Sequence, residues 1–199
     1  MRLPLSPLLA TLAERLGARQ PVEMGQQPDD DGAPAQLAAV AVILAPGPDS
    51  VLLIRRAERE GDPWSGHVGL PGGRYDPADT DLCVTAMRET VEEVGCTLSR
   101  ENLLGALDDV WPRTPGRRLI VVRPFVFWVS ERPPLFPNGE VADAFWVSLE
   151  ELRDPSIYRD TPLQVRGEER LFPAYHLAPR DLVWGLTERI LTPLLELAR

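Results

Sequence analysis

Three glutamates at positions 89, 92 and 93, preceded by Pro71-Gly72-Gly73, are the residues of this chain best suited to chemistry. The stretch from Gly72 to Cys96, GGRYDPADTDLCVTAMRETVEEVGC, joins a glycine turn to an acidic segment. Its spacing predicts a helix over about residues 81–94, in which side chains three and four positions apart share a face. On that helix Glu89, Glu92 and Glu93 project together, while Cys83, Val84, Met87, Val91 and Val94 point the other way, toward a core. Like charges so spaced cost about 0.2–0.5 kcal/mol per pair in an isolated helix, and Arg88, four residues before Glu92, offsets only part of it. A bound cation offsets the rest; the alternative is an acidic face that simply meets water. Hard divalent cations take carboxylate oxygens together with substrate phosphates, and two glycines let the backbone approach a ligand closely. The pattern suits metal-assisted phosphoryl chemistry.

The same residues resemble the signature of the Nudix hydrolases, G-x5-E-x7-R-E-U-x-E-E-x-G-U, with U a bulky apolar residue. Arg88-Glu89, Glu92-Glu93 and Gly95 match it in register. Fourteen residues separate Gly73 from Arg88 where the pattern has thirteen, Asp79 stands for the first glutamate, and Thr90 and Cys96 replace aliphatic residues. The words PGGRYDPADTD and AMRETVEEVG are similar to the coenzyme A pyrophosphatase branch, which carries a GG-x-x-DP-x-D version of the box. The resemblance implies an α/β/α sandwich with a mixed β-sheet, and hydrolysis of a nucleoside diphosphate linked to another moiety. It implies that Glu89, Glu92 and Glu93, with the Gly72 carbonyl, hold Mg²⁺ or Mn²⁺. Arg88 would orient the glutamates, and Asp79 would brace the loop against the helix.

The branch's upstream pattern LLTxRSxxLRxHxGQVxFPGG is met only in part. Arg56 coincides with its arginine, and Gly66, Val68 and the PGG of residues 71–73 agree, whereas Trp64 stands for His and His67 for Gln. Arg56, Trp64, His67 and Gly73 are therefore the candidate substrate contacts. Each has an ordinary reading: Arg56 as a solvated charge, Trp64 as packing rather than a base-stacking ring, His67 as a turn cap rather than a phosphate donor. Asn138-Gly139-Glu140-Val141 precedes AFWVSLEEL, similar to a region where other Nudix proteins place an acidic residue. Glu140 is then a further metal ligand, the base that orients water, or a surface glutamate after a turn. If the substrate is coenzyme A, the products are 4′-phosphopantetheine and 3′,5′-ADP. Other substrates in the class are ADP-ribose, dinucleoside polyphosphates, nucleotide sugars and nucleoside di- and triphosphates; a nucleotide-binding module without turnover is the reading from another class.

The elements that must position these residues read as follows. Residues 5–17 form a short amphipathic helix with Leu8, Leu9, Leu12 and Leu16 as its stripe and Gly17 as a stop signal. Residues 20–35 are polar and turn-rich, as in a flexible linker, so residues 1–36 are set apart from a hydrolase domain over 37–199. Strands are predicted at 36–46 and 51–56 as a hairpin, then at 103–109 and 118–129 around the loop WPRTPGR, with short strands within 163–176. A final amphipathic helix is predicted over 181–198, broken or kinked near Pro193.

Composition narrows the partners. With 199 residues, 44% of them hydrophobic, one core suffices. A net charge of −9 argues against nucleic acid and anionic membrane surfaces, which need extended Lys/Arg clusters. No window reaches the roughly 20 apolar residues of a membrane span, and no small-residue cleavage site follows the N-terminal helix. Cys83 and Cys96 make neither a disulfide framework nor, with His67 and His176, a zinc site. They read as buried thiols in a reducing cytoplasm. The expected partner is a small nucleotide-type molecule, in a monomer or a homodimer.

Overall fold

The computed structural model describes residues 5–25, 32–61, 64–112, 119–165, 167–177 and 181–199. The centre of the expected 20–35 linker, most of the expected 111–117 loop and Arg118 lie outside them. In chain order the elements are α1 (Pro7–Ala18), β1 (Gln36–Ala45), β2 (Ser50–Arg56), β3 (Val68–Gly69), β4 (Gly72–Arg74), α2 (Leu82–Val94), β5 (Leu103–Ala106), β6 (Ile120–Trp128), β7 (Val141–Ser148), α3 (Leu149–Leu152), β8 (Tyr158–Val165), β9 (Glu168–Leu177), β10 (Asp181–Trp184) and α4 (Gly185–Leu197).

β1 and β2 pair antiparallel near their turn, Leu44 against Val51 and Ala45 against Ser50, as the expected hairpin. Further on, β3 pairs with β2 and β4 with β1, so the glycine strand fills the split between them. On its other edge β1 runs parallel to β6, and β5 and β7 add antiparallel to β6 and β2. The sheet is therefore mixed, as expected.

Strand alternation divides its residues between two layers. Val42 and Leu44 of β1, Val51 and Leu53 of β2, and Val126 and Trp128 of β6 pack in the layer that holds α1 and α4. Ala41, Ile43, Leu52, Ile54, Phe125 and Phe127 pack in the layer that holds α2. Helices cover both faces, which makes the α/β/α sandwich.

Several elements differ from the expectation. The 181–198 segment begins as β10, whose Val183 and Trp184 pair with Tyr175 and Ala174 of β9, and Gly185 at φ +67° makes the turn into α4. A left-handed backbone there suits glycine alone. The helix then runs through Pro193, held by the buried Leu191, Leu194 and Leu195. β8 and β9 are longer than the short strands anticipated within 163–176, and with β10 they form a second, three-stranded sheet. The strand anticipated over 103–109 stops at Ala106.

The N-terminal helix starts at Pro7, capped by Ser6, and passes through Gly17 to Ala18. Its Leu9, Leu12 and Leu16 are buried in the core beside α4. Cys83 and Cys96 are free and buried. Among the described residues no helix is long and apolar enough to cross a membrane.

Candidate active site

α2 opens on Asp81, whose carboxylate accepts from the Cys83 and Val84 N–H groups at 2.9 and 3.1 Å. It ends at Gly95, whose N–H bonds the Val91 carbonyl. Between these caps the helix presents a different inner face from the one read off the sequence. Cys83, Thr85, Ala86, Thr90, Glu93 and Val94 are buried, and Val91 is 45% exposed. The three glutamates therefore do not share one solvated face. The Glu92 side chain is 54% exposed and that of Glu89 18%, whereas Glu93 is 3% exposed. The reason is the strand beside them: β4 approaches α2 closely and takes Glu93 into the layer between sheet and helix.

Glycine makes that approach feasible. The Gly72 N–H donates to Glu93 Oε2 at 2.9 Å. A Cβ on Gly72, at φ +155°, would meet the Ala39 carbonyl oxygen at 2.3 Å, and one on Gly73 would meet the Glu89 carboxyl carbon at 2.3 Å. In the ladder, Ala41 N–H bonds the Pro71 carbonyl and Tyr75 N–H bonds that of Leu37. Alternation then turns the N–H and C=O of Gly72 away from β1, and the N–H meets Glu93.

Arg88 organises the acidic groups. Its Nε and Nη2 reach Asp79 at 3.1 and 3.0 Å, Nη1 reaches Glu89 at 2.8 Å and Glu92 at 3.3 Å, and Nη2 also donates to the Arg74 carbonyl at 3.2 Å. Buried Asp79 also accepts from Thr85 Oγ1 at 2.8 Å and from the Asp76 N–H at 3.3 Å, closing the turn before α2. The hydrogen bond from Arg88 holds the Asp79 carboxyl below its ordinary range, and Asp79 in turn raises Arg88 further. The guanidinium thus donates to protein oxygens of Asp79, Glu89, Glu92 and Arg74.

The glutamates feel the opposite shift. Burial pushes the Glu93 carboxyl up to about 7, against the pull of the Gly72 N–H and Arg56, with Glu89 and Glu140 adding to the rise. Burial also raises Glu89, more than Arg88 lowers it.

Glu140 stands at the edge of this cluster. Its carboxylate pairs with Arg59 at 3.1 Å, and its N–H bonds Asn138 Oδ1. The Asn138 and Phe136 N–H groups bond the Glu93 and Val94 carbonyls, which ties this loop to the end of α2. Sequence reading missed Arg59 and Asn138; the turn signal before Glu140 pointed to the loop, though nothing in it indicated docking on α2.

Arg56 pairs through its backbone with the His67 carbonyl at 3.0 Å. His67 packs its ring on Trp184, centroids 4.9 Å apart, and its N–H bonds the Trp64 carbonyl in a turn. The expected contacts thus fall into two groups: Arg56, Gly72 and Gly73 border the glutamates, while Trp64 and His67 lie on the loop leading in.

The donors here, carboxylate and carbonyl oxygens, are those a hard divalent cation takes. Among the described residues no three acidic, His or Cys groups converge as a finished cation cage. Burial, with smaller contributions from neighbouring carboxylates, raises Glu89 and Glu93, and a cation beside them would favour their charged forms. The residues fit the ion in chemistry, with Arg88 holding Glu89 and Glu92 in its place.

The NUDIX domain family matches residues 35–165. The chain is 31% identical over 156 residues to an uncharacterised Nudix hydrolase, NudL, of Yersinia pestis, covering 77% of this chain and 75% of that protein. It is 36% identical over 151 residues to an uncharacterised protein of Schizosaccharomyces pombe, covering 68% of this chain and 44% of the yeast protein. The chain thus spans less than half of the yeast relative's length. In fold it is similar to a MutT/nudix family protein from Enterococcus faecalis, with TM-score 0.56 at 18% identity, over 95% of this chain and 73% of that one. The chain belongs to the Nudix family.

Proposed function

We propose that Glu89, Glu92 and Glu93, with the Gly72 carbonyl, bind Mg²⁺ or Mn²⁺ and that the substrate is coenzyme A or a derivative, cleaved to 4′-phosphopantetheine and 3′,5′-ADP. The observation that carries the reading is the buried Glu93, raised by that burial and held on Gly72 beside Arg88-tethered Glu89 and Glu92. A cation bound there neutralises the pyrophosphate and acidifies water for attack on phosphorus. Arg88 orients Glu89 and Glu92, Asp79 anchors Arg88, and Arg56 adds positive charge at the same end of the split. Glu140, fixed by Asn138 and Arg59, takes the proton from the attacking water or orients it. Trp64, His67 and Gly73 border the path that a substrate takes to Glu93. The two reduced, buried cysteines suit a reducing compartment.

A second reading keeps the chemistry with a different leaving moiety, such as ADP-ribose or a dinucleoside polyphosphate. It is favoured by the packing of His67 on Trp184, which puts an aromatic pair where the coenzyme A pattern has glutamine. The test is chromatography of products from purified protein with each metal and each substrate. Appearance of 3′,5′-ADP from coenzyme A supports the first reading; turnover of another substrate alone selects the second. Folded protein that turns over none with either metal overturns both.

A further inference from the structure

The three-stranded sheet carries large aromatic side chains on the face opposite Tyr175, Leu177 and Val183. Tyr175, Leu177 and Val183 point into the core beside α4, so alternation turns Phe172 and Trp184 to the outer face. There Phe172 and Trp184 lie diagonally across β9 and β10, with centroids 5.2 Å apart, and Trp184 meets His67 at 4.9 Å, both pairs tilted by 57°. All three rings are half-buried. The result is a row, Phe172 to Trp184 to His67.

The inner end of the row is fixed to the catalytic strand. His67 directly precedes β3, and its carbonyl accepts from Arg56, whose charge acts on Glu93. Arg55 pairs with Asp181 at the start of β10, and Thr187 Oγ1 bonds the Val68 carbonyl at 3.1 Å. From His67 to Gly72, whose N–H holds Glu93, is a five-residue step of at most about 18 Å. Phe172 and Trp184 also lie beyond residues 35–165, the part of the chain that the family shares.

We propose that Phe172, Trp184 and His67 form the subsite that stacks the nucleobase of the substrate while its diphosphate reaches Glu93 and Gly72. This rests on the pyrophosphatase reading of the carboxylates. Flat rings stack on aromatic faces whatever their hydrogen-bonding edges, so the row selects nucleotides over base-free diphosphates without demanding one base. Specificity would then come from β9 and β10 rather than from the catalytic helix.

The test is calorimetric titration of the full-length protein with AMP, which has no pyrophosphate to cleave, and with ribose 5-phosphate, which has no base. Trp184→Leu is expected to raise the Kd for AMP about tenfold, and Phe172→Leu about threefold. Ribose 5-phosphate is expected to shift by less than twofold in both, with circular dichroism and Tm matching the parent. Phe172→Leu, on an outer strand, keeps the test valid if Trp184→Leu does not fold. Unaltered AMP affinity in folded variants, equal weakening of both ligands, or no AMP binding by the parent protein at millimolar concentration overturns the proposal. Absence of turnover with normal AMP selectivity would remove the pyrophosphatase reading and leave the subsite standing.

Discussion

On the α1/α4 side of the main sheet the core is assembled from Leu9, Leu12, Leu44, Leu53, Leu191 and Leu194, all fully buried. On the α2 side β1 contributes Ala39 and Ala41, and the helix adds Thr85, Thr90 and the carboxyl of Glu93. Both sides bury an acid on a helix, yet the two are treated differently. Glu188 of α4 accepts from the Tyr158 and Thr192 hydroxyls at 2.7 and 2.9 Å. Glu93 accepts from the Gly72 N–H, and its burial, with Glu89 and Glu140 nearby, raises its proton affinity. One layer is arranged for stability, and the other keeps an acid in a state that only a proton or a cation makes comfortable. On the proposed reading, stability and chemistry are separated by the thickness of one sheet.

The sharpest way to break that division is to change each side in turn. Replacing Glu92, the exposed carboxylate, by Gln is expected to lower turnover by roughly 10²–10³-fold, as loss of several kcal/mol of metal-borne stabilisation implies, with Tm unchanged. Steady-state kinetics beside thermal melts check this; near-normal rates would remove Glu92 from the site. Leu191→Ala is expected to do the reverse. A cavity in the α4 layer costs about 2–5 kcal/mol, read by urea unfolding, while kcat measured well below the melting range stays within twofold. If Leu191→Ala lowers kcat in step with stability, the two layers are not independent.

Glu93 links them through pH. Its carboxyl is raised to about 7 in the fold, above the 4.5 it would have free. Between those values the native state binds more protons than the unfolded state, so stability falls as pH rises. For metal-free protein the loss is expected to be on the order of 3 kcal/mol, complete just above pH 7 and absent below about pH 4. Urea midpoints at pH 5 and 8 in chelator measure it. Glu93→Gln, which keeps an oxygen for the Gly72 N–H, should remove this component, and Mg²⁺ should restore stability to the parent at pH 8 but not to the variant. Parallel pH profiles for the two proteins would place the buried charge elsewhere.

How far the sequence could be read follows the same division. The acidic helix and its Gly-Gly entry were legible because the carboxylates at positions 89, 92 and 93 follow a glycine turn and fall, with Arg88 and Gly95, in register with a family signature. The β1–β2 hairpin and β6 were legible from their apolar runs. The burial of Glu93 and exposure of Val91 were not, since a helical period fixes which residues share a face but not where β4 will press on it. The second sheet was legible only in part for a related reason. β8 and β9 are mostly exposed, so only short strands within 163–176 stood out, and Asp181–Trp184 has the apolar pattern of the helix it precedes. Only pairing with β9, a tertiary event, makes it a strand.

The smallest expected effect compares the two helix caps. Ser6 caps α1 through the Leu9 N–H at 3.1 Å and also meets Asp49, while Asp81 caps α2 through two N–H groups and pairs with Arg100. Loss of either cap costs about 1 kcal/mol, so Ser6→Ala and Asp81→Ala should lower stability by similar amounts in urea. Their effects on activity should diverge. α1 touches nothing of the acidic cluster, whereas the start of α2 follows the Asp79 turn that anchors Arg88 through Asp79 and Thr85. Fraying there loosens the guanidinium that aligns Glu89 and Glu92. Asp81→Ala should therefore lower kcat several-fold at pH 8 and Ser6→Ala should not. Equal kcat in the two variants would mean that Arg88 keeps its place without the first turn of the helix, and that the Asp79 turn alone holds the site.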